Sequence, residues 1–294
     1  MKPAPFAYVR AESTEEALSL LGEHGYEAKL LAGGQSLIPA MNFRLAQPGV
    51  LIDLNRVAEL CFITSENGEI RIGAMTRQRA AERSALIREH APLLVEALHH
   101  TAHPQIRNRG TVGGSIAHAD PAAEIPAVML ALGASLELSG PGGTRSVPAE
   151  EFFTGFFGTA LEPEEMISAI AIRCPPERGT GWAFDEVARR HGDYALAGVA
   201  SVVEMDDEGR CGAVRIALLS VGDRPVLAAA AAAALVGERP TLEAVEHAAR
   251  AAAHEDVDPP TDIHASAAYR RRLVEVLTRR TLLRALERAG HPLS

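Results

Sequence analysis

Residues 30–37 read Leu30-Leu31-Ala32-Gly33-Gly34-Gln35-Ser36-Leu37, and residues 109–116 read Arg109-Gly110-Thr111-Val112-Gly113-Gly114-Ser115-Ile116. Both stretches place two glycines after apolar residues and follow them with a small hydroxyl side chain. Glycine allows close backbone approach and φ > 0 at little cost. Successive free N–H groups in such a bend can converge on an anion. One such stretch is an ordinary turn motif; two in one chain suggest a large ligand held at both ends. The first stretch lacks the Lys-Ser/Thr ending of a P-loop and the G-x-G-x-x-G of a dinucleotide-binding turn. A β-carbon at Gly33 or Gly113 is expected to fill the space an approaching phosphate needs.

Working outward, Phe6-Ala7-Tyr8-Val9 reads as a strand. Ser13-Thr14-Glu15-Glu16 reads as a capping box opening a helix through Leu20 and Leu21. Strands over 29–32 and 50–54 and a helix over 37–45 complete a small β-α-β-α-β unit. A second unit starts near Asn55: a strand at 69–73, helices over 77–90 and 92–101 with Pro104 ending the latter, and a buried helix over 122–132. Gly140-Pro141-Gly142-Gly143 marks a hairpin between strands at 135–138 and 144–147, and 166–173 reads as a further strand. Cys174-Pro175-Pro176-Glu177-Arg178-Gly179 reads as a linker. Beyond it come antiparallel strands at 181–188, 195–205 and 214–220, with Asp206-Asp207-Glu208-Gly209 as a tight turn, then helices over 226–236, 241–253 and 264–288. The character is α+β throughout.

The chain has 294 residues, 47% apolar and 23% charged, with a formal net charge of −9. That balance suits a soluble globular protein with a sizeable core and argues against a nucleic-acid or anionic-membrane role. Few basic residues flank either glycine pair, so bound phosphate is expected to depend mainly on backbone N–H groups. The three cysteines, Cys61, Cys174 and Cys211, are far apart and form no C-x-x-C. This argues against a disulfide framework, a zinc ribbon or a cysteine-held iron–sulfur cluster, and for a reduced cytoplasmic setting. No signal peptide or membrane-length apolar run is visible.

His99 and His103 have the i, i+4 spacing of some zinc sites, but no glutamate follows the first and no further ligand presents itself; no metal is expected. His118 is a candidate ligand contact. Asp120 and Glu124 either complement a helix N-terminus or accept hydrogen bonds from a ligand. Tyr194, beside Gly192-Asp193, is placed to lie over a planar group. The arginines Arg270, Arg271, Arg272, Arg279, Arg280 and Arg284 read as a solvated helix face or a subunit contact. No catalytic acid, base or nucleophile stands out.

Taken together, Ala32-Gly33-Gly34-Gln35-Ser36-Leu37-Ile38-Pro39, Thr111-Val112-Gly113-Gly114-Ser115 and Gly192-Asp193-Tyr194-Ala195 resemble the FAD-binding medium subunit of aerobic-type carbon monoxide dehydrogenases, a branch of the xanthine dehydrogenase or molybdenum hydroxylase family. The likeness extends to Phe153-Thr154-Gly155, Thr159-Ala160-Leu161-Glu162-Pro163 and Tyr269-Arg270-Arg271. It implies a vanillyl-alcohol-oxidase (PCMH)-type FAD fold of two α+β subdomains, residues 1–54 and 55–175, then a C-terminal domain over 176–294 with a small antiparallel sheet and helices. It implies non-covalent FAD held by Leu31, Ala32, Gly33, Gly34, Gln35, Ser36 and Leu37 and by Thr111, Val112, Gly113, Gly114 and Ser115. Ala102, Glu124, Met166 and Tyr194 fall at positions resembling further flavin contacts. Glu124 stands where the family usually has aspartate, and Ser115 where it often has asparagine. Partners follow from the same likeness: a small subunit with two 2Fe–2S clusters and a large molybdenum subunit, assembled as a dimer of heterotrimers. The chain is then the flavin end of an electron relay. A stand-alone flavin oxidoreductase and a non-catalytic nucleotide-binding protein are the rival readings.

Overall fold

A computed structural model describes residues 1–176 and 178–293, so Glu177 of the expected linker, like Ser294, lies outside the described residues. Strands β1 (Ala7–Arg10), β2 (Ala28–Leu31) and β3 (Val50–Asp53) form a parallel sheet in the order β1-β3-β2. The central strand, Val-Leu-Ile-Asp, is buried at every position, as expected for a parallel strand covered on both faces. The helix Thr14–His24 is capped as the sequence indicates, Ser13 Oγ accepting the Glu16 N–H at 3.1 Å. The Glu16 carboxylate closes the cap one residue earlier than the usual box, on the N–H of Glu12. The expected helix over 37–45 is shorter, Leu37–Asn42, because Arg44 takes φ 59° and ends it.

The second unit is an antiparallel sheet in the order β4-β5-β10-β6-β7. Its strands are β4 (Ile63–Glu66), β5 (Glu69–Gly73), β6 (Ser135–Gly140), β7 (Gly143–Pro148) and β10 (Met166–Arg173); the short β8 (Phe153–Gly155) and β9 (Gly158–Thr159) pair beside it. One expected helix, 77–90, is two: Ser84 leaves helical geometry (ψ 128°) and caps Ala85–His90 by accepting the Ile87 N–H. Pro104 does not stop the helix Pro92–His100. It opens a new turn, Pro104–Arg107, where its missing N–H costs nothing. The second glycine pair is also not a loop. Thr111 is an N-cap, and Gly113 and Gly114 lie in the first turn of a helix, Val112–His118. Between sheet and helices sits the largest apolar cluster, built on Ile70, Ile72, Leu94, Leu98, Ile116, Val128, Leu136, Phe152 and Ile170.

The C-terminal sheet runs in chain order: β11 (Thr180–Ala188), β12 (Ala195–Met205), β13 (Cys211–Leu219) and β14 (Val226–Leu227). The expected helix over 226–236 is strand β14 followed by the short helix Ala229–Ala233. Helix Ala267–Arg288 packs across β11 and β12 on one face of the sheet, and Leu242–His254 packs on that helix and on Ala229–Ala233. Helix and sheet approach so closely that a β-carbon at Gly181 would lie 1.7 Å from Ala285 O.

The arginines of this last helix are not simply a solvated face. Arg270 is 3% exposed; its guanidinium donates to Leu196 O and Ser220 O and pairs with Asp262 at 2.7 Å. Arg271 donates to Ala253 O and Val257 O, and Arg284 to Phe184 O. These side chains satisfy strand and helix ends inside the chain. Arg270→Ala removes the donors to the Leu196 and Ser220 carbonyls and the ion pair with Asp262, so urea unfolding should show a loss of about 2–3 kcal/mol, the range for hydrogen bonds to a charged group.

Candidate functional site

Strands β2 and β3 run parallel, so both carboxyl ends open on the same edge, the usual place for a ligand in a parallel sheet. From β2 the chain enters Ala32–Ser36; from β3 it passes Leu54 to Asn55. A cleft of about 370 Å³ lies there, lined by Leu31, Ala32, Gly33, Gly34, Gln35, Ile38, Pro39, Asn42, Asn55 and Arg109. None of these ten residues is acidic, although the protein carries a net charge of −9.

The two glycine-rich segments meet at this edge. A β-carbon on Gly33 would sit 2.5 Å from Arg109 O and 2.7 Å from the Gly110 Cα. One on Gly114 would come within 3.4 Å of the Ala32 side chain. The glycines therefore serve backbone-to-backbone contact. At Gly33 and Gly113 the space a β-carbon would take is occupied by protein, Arg109 O in the first case and Ala74 in the second, not by room left for a phosphate. Only Gly34, at φ 73°, needs the left-handed region.

Their N–H groups divide unequally. Val112 N–H donates to Thr76 O, Gly113 N–H to Ala74 O and Gly114 N–H to Thr111 Oγ1. That segment spends its first donors on its own packing. On the first segment, among the described residues, the N–H groups of Gly33, Gly34, Gln35 and Ser36 meet no acceptor. Ser36 N-caps the helix Leu37–Asn42 without a side-chain bond, so that helix start is open as well. Consecutive unpaired N–H groups beside a cavity form a cradle for an anion.

Side chains lock the cradle in place. Asn55 donates from Nδ2 to Ala32 O at 3.1 Å and to Asp53. Asp53 accepts in turn from Tyr8 OH and the Asn55 N–H. Burial alone would raise the Asp53 carboxyl, but those hydrogen bonds hold it below the ordinary carboxylate range. Arg77 donates one arm to Asn55 Oδ1 and the other to Arg109 O. Burial, and secondly the charge of Arg109, lower the Arg77 pKa. The cleft is thus more basic than the sequence flanking the glycines suggests. Arg77 is remote in the chain and is brought to the site by its antiparallel bridge to Thr111. Asn55 was legible: it is the first polar residue past β3, at the same sheet edge as the first glycine pair.

The remaining site candidates fall elsewhere. Leu37 opens its helix beside the cleft, and Thr111 and Val112 are buried behind it, while Ser115 stays partly exposed. Ala102, at φ 44°, faces Gly192: a β-carbon on Gly192 would lie 3.0 Å from Ala102 O. Tyr194 stands exposed two residues on. Glu124, at a helix start next to Thr101, is 9% exposed; burial first, then the Glu186 carboxylate, push its pKa to about 7. The Glu186 carboxylate, 3.6 Å from His100 Nδ1, raises the His100 pKa, and burial lowers that of His118, which packs on the Phe157 ring. Met166 is buried in the apolar cluster of Ile52, Leu54 and Met75 that joins the first two sheets. His99 lies 3.7 Å from Glu82 and His103 stacks on His191; no group of three metal-ligating side chains occurs among the described residues. Nor, among those residues, is any helix long and apolar enough to cross a membrane.

Comparison with known proteins extends this geometry. The family described as the FAD binding domain in molybdopterin dehydrogenase matches residues 4–175, and the CO dehydrogenase flavoprotein C-terminal domain matches 182–285. The chain is 43% identical over 289 residues to the 6-hydroxypseudooxynicotine dehydrogenase complex subunit alpha of Paenarthrobacter nicotinovorans, covering 98% of this chain and 97% of that protein. It is 41% identical over 291 residues to the carbon monoxide dehydrogenase medium chain of Hydrogenophaga pseudoflava, covering 99% and 100%. The solved carbon monoxide dehydrogenase of Hydrogenophaga pseudoflava lacking the Mo-pyranopterin moiety of the molybdenum cofactor superposes with a TM-score of 0.95 at 43% identity, over 98% of this chain and 99% of that one. Quinoline 2-oxidoreductase from Pseudomonas putida 86 gives 0.92 at 38% identity, over 99% and 100%.

Two measurements check the site's physics. Gly33→Ala should push the Arg109–Gly110 backbone off the cradle and lower thermal stability by about 1–3 kcal/mol, the usual cost of overpacking, with faster amide exchange at 33–36 and 109–114. Glu124 has a folded pKa raised from 4.5 to about 7. Its protonated form is therefore the stabilising one: the stability is complete below pH 4.5 and is lost as pH rises towards 7. Relative to Glu124→Gln, the protein should lose on the order of 3 kcal/mol over that window; parallel profiles for the two proteins would refute the assignment.

Proposed function

We propose, for a chain that belongs to the FAD-binding medium subunits of the molybdopterin dehydrogenases, that the cleft at 31–36 receives the diphosphate of FAD and that the chain is the flavin relay of a three-subunit complex. The supporting observation is the run of unpaired N–H groups from Gly33 to Ser36 beside Arg109, in a cleft without a carboxylate. An anionic diphosphate supplies the acceptors those donors lack.

In this reading Leu31–Leu37 holds the diphosphate. Thr111–Ser115 forms its wall, with Gly114 and Ser115 as the partly exposed members. Ala102, Glu124, Met166 and Tyr194 belong to the flavin's surroundings, and residues 1–54, 55–175 and 176–294 are the folding units. Bound FAD supplies storage of two electrons with one-electron exchange, chemistry the side chains cannot provide. The chain's own part is to hold, orient and electrostatically tune; no side chain is assigned as acid, base or nucleophile. Electrons come from 2Fe–2S clusters of a small partner subunit, after oxidation of substrate at a large molybdenum subunit, and leave to a terminal acceptor. The relatives' names, medium chain and complex subunit, support such partners, and we assign the assembly as a dimer of heterotrimers in the cytoplasm.

The purified chain should be yellow and release FAD on acid extraction, and the flavin-free chain should take FAD up again in a calorimetric titration. Mixed with its partners and substrate, its flavin absorbance should bleach only when the small subunit is present. A colourless chain that ignores FAD overturns the reading, and bleaching by substrate alone reassigns the chain as a self-sufficient oxidoreductase.

A further inference from the structure

Arg77 and Arg109 carry two positive charges close enough for each to affect the other, at the edge of a protein with net charge −9. Among the described residues neither forms an ion pair. Like charges placed together cost free energy; the Asp53 carboxylate offsets part of it at Arg77, while the exposed Arg109 meets no carboxylate in the cleft it lines, which favours an anionic occupant there. The geometry separates their roles. Arg109 is exposed and lines the cleft, so its guanidinium is available to a ligand. Arg77 is turned inward, with both arms engaged.

The two arms make a clasp. One holds Arg109 O, the atom against which Gly33 packs; the other holds Asn55, whose amide grips Ala32 O. Ala32, Asn55, Arg77 and Arg109 thus tie the first glycine segment to the second across the edge of the cleft. The Gln78 N–H donates to Gly110 O at 2.9 Å and anchors the clasp from the backbone side.

We propose that Arg109 is the cation that meets the diphosphate of the bound ligand, and that Arg77 is a positioning residue that sets where Arg109 and the Gly33–Ser36 cradle stand. The assignment rests on the flavin reading for the identity of the ligand, though not for its charge. The planar guanidinium at position 77 presents its donors to Asn55 Oδ1 and Arg109 O in a fixed fork, which an ammonium on a flexible stem does not reproduce.

Calorimetric titration of the flavin-free full chain with FAD, inorganic pyrophosphate and riboflavin tests this. Arg109→Gln should weaken FAD and pyrophosphate by about tenfold to a hundredfold, the range of a charge-assisted hydrogen bond, flatten the salt dependence of both, and leave riboflavin unchanged. Arg77→Met should weaken the same two ligands, with Arg77→Lys intermediate. In the Arg109→Gln background Arg77→Met should cost less than it does in the wild type, because the share that acts through Arg109 is already gone, and it should leave riboflavin unchanged; a purely structural Arg77 adds its full loss there and lowers riboflavin binding too. If FAD binds equally to the wild type and Arg109→Gln, the inference falls and the flavin reading stands. If pyrophosphate binds with Arg109 dependence and FAD does not bind, the flavin reading falls and the inference stands. Binding of neither ligand by the wild type overturns both.

Discussion

One backbone contact organises the site: Gly33 lies against the carbonyl of Arg109 and the Cα of Gly110, at a separation that admits no β-carbon. From it follow the closeness of two segments far apart in sequence, the placement of Arg109 in the cleft, and the open face of the Gly33–Ser36 amides. Side chains could not substitute for it, because each would interpose its own bulk. The neighbouring helix Val112–His118 seats Gly113 on Ala74 in the same way. Close backbone packing is thus repeated on both sides of the junction between the first two sheets, where Met75 and Met166 fill the apolar space behind it.

The electrostatics are local. Net charge describes the whole surface and governs long-range attraction, yet a binding cleft responds to the few groups within reach. Here those groups are main-chain N–H donors, three amide side chains and a guanidinium. Acidic residues are segregated to other tasks: Asp53 anchors Asn55, Glu82 holds the buried Arg107, and the Glu124 carboxyl has its pKa raised to about 7 by its burial and by Glu186. Fixed donors of this kind need no reorganisation when an anion arrives, which suits a site that must hold a cofactor rather than turn over a substrate.

The C-terminal unit shows charged side chains serving as internal struts. Arg270, Arg271, Arg284 and Arg288 leave the last helix and end on main-chain carbonyls of the sheet or of neighbouring loops. Each offers several directed donors on a long apolar stem, so it can cross a packed interface and still satisfy a strand end. A helix whose sequence looks fit for solvent is thereby fastened to the sheet.

Much was legible in the order of residues alone. Runs such as Val50–Asp53, Glu69–Gly73, Met166–Arg173 and Ala195–Met205 declared themselves as strands because side-chain period and length are local properties. The Ser13 cap, the Gly140–Gly143 hairpin and the Asp206–Gly209 turn likewise need only neighbouring atoms. The first glycine pair marked the edge where the cleft lies, and the resemblance of both pairs to a family gave FAD as the cofactor. Tertiary structure decided the rest. Thr111 caps a helix instead of opening a bend because Ala74 and Thr76 accept its first N–H groups. Val226–Leu227 pairs with β13 where an alanine-rich stretch suggested helix, since a sheet edge was available to it. Arg77 and Asn55 enter the site, and Arg270, Arg271 and Arg284 of the last helix turn inward while Arg272, Arg279 and Arg280 stay exposed, through partners distant in sequence. Propensity is a property of a residue and its neighbours; a hydrogen-bond partner or an excluded β-carbon is a property of whatever the fold brings alongside.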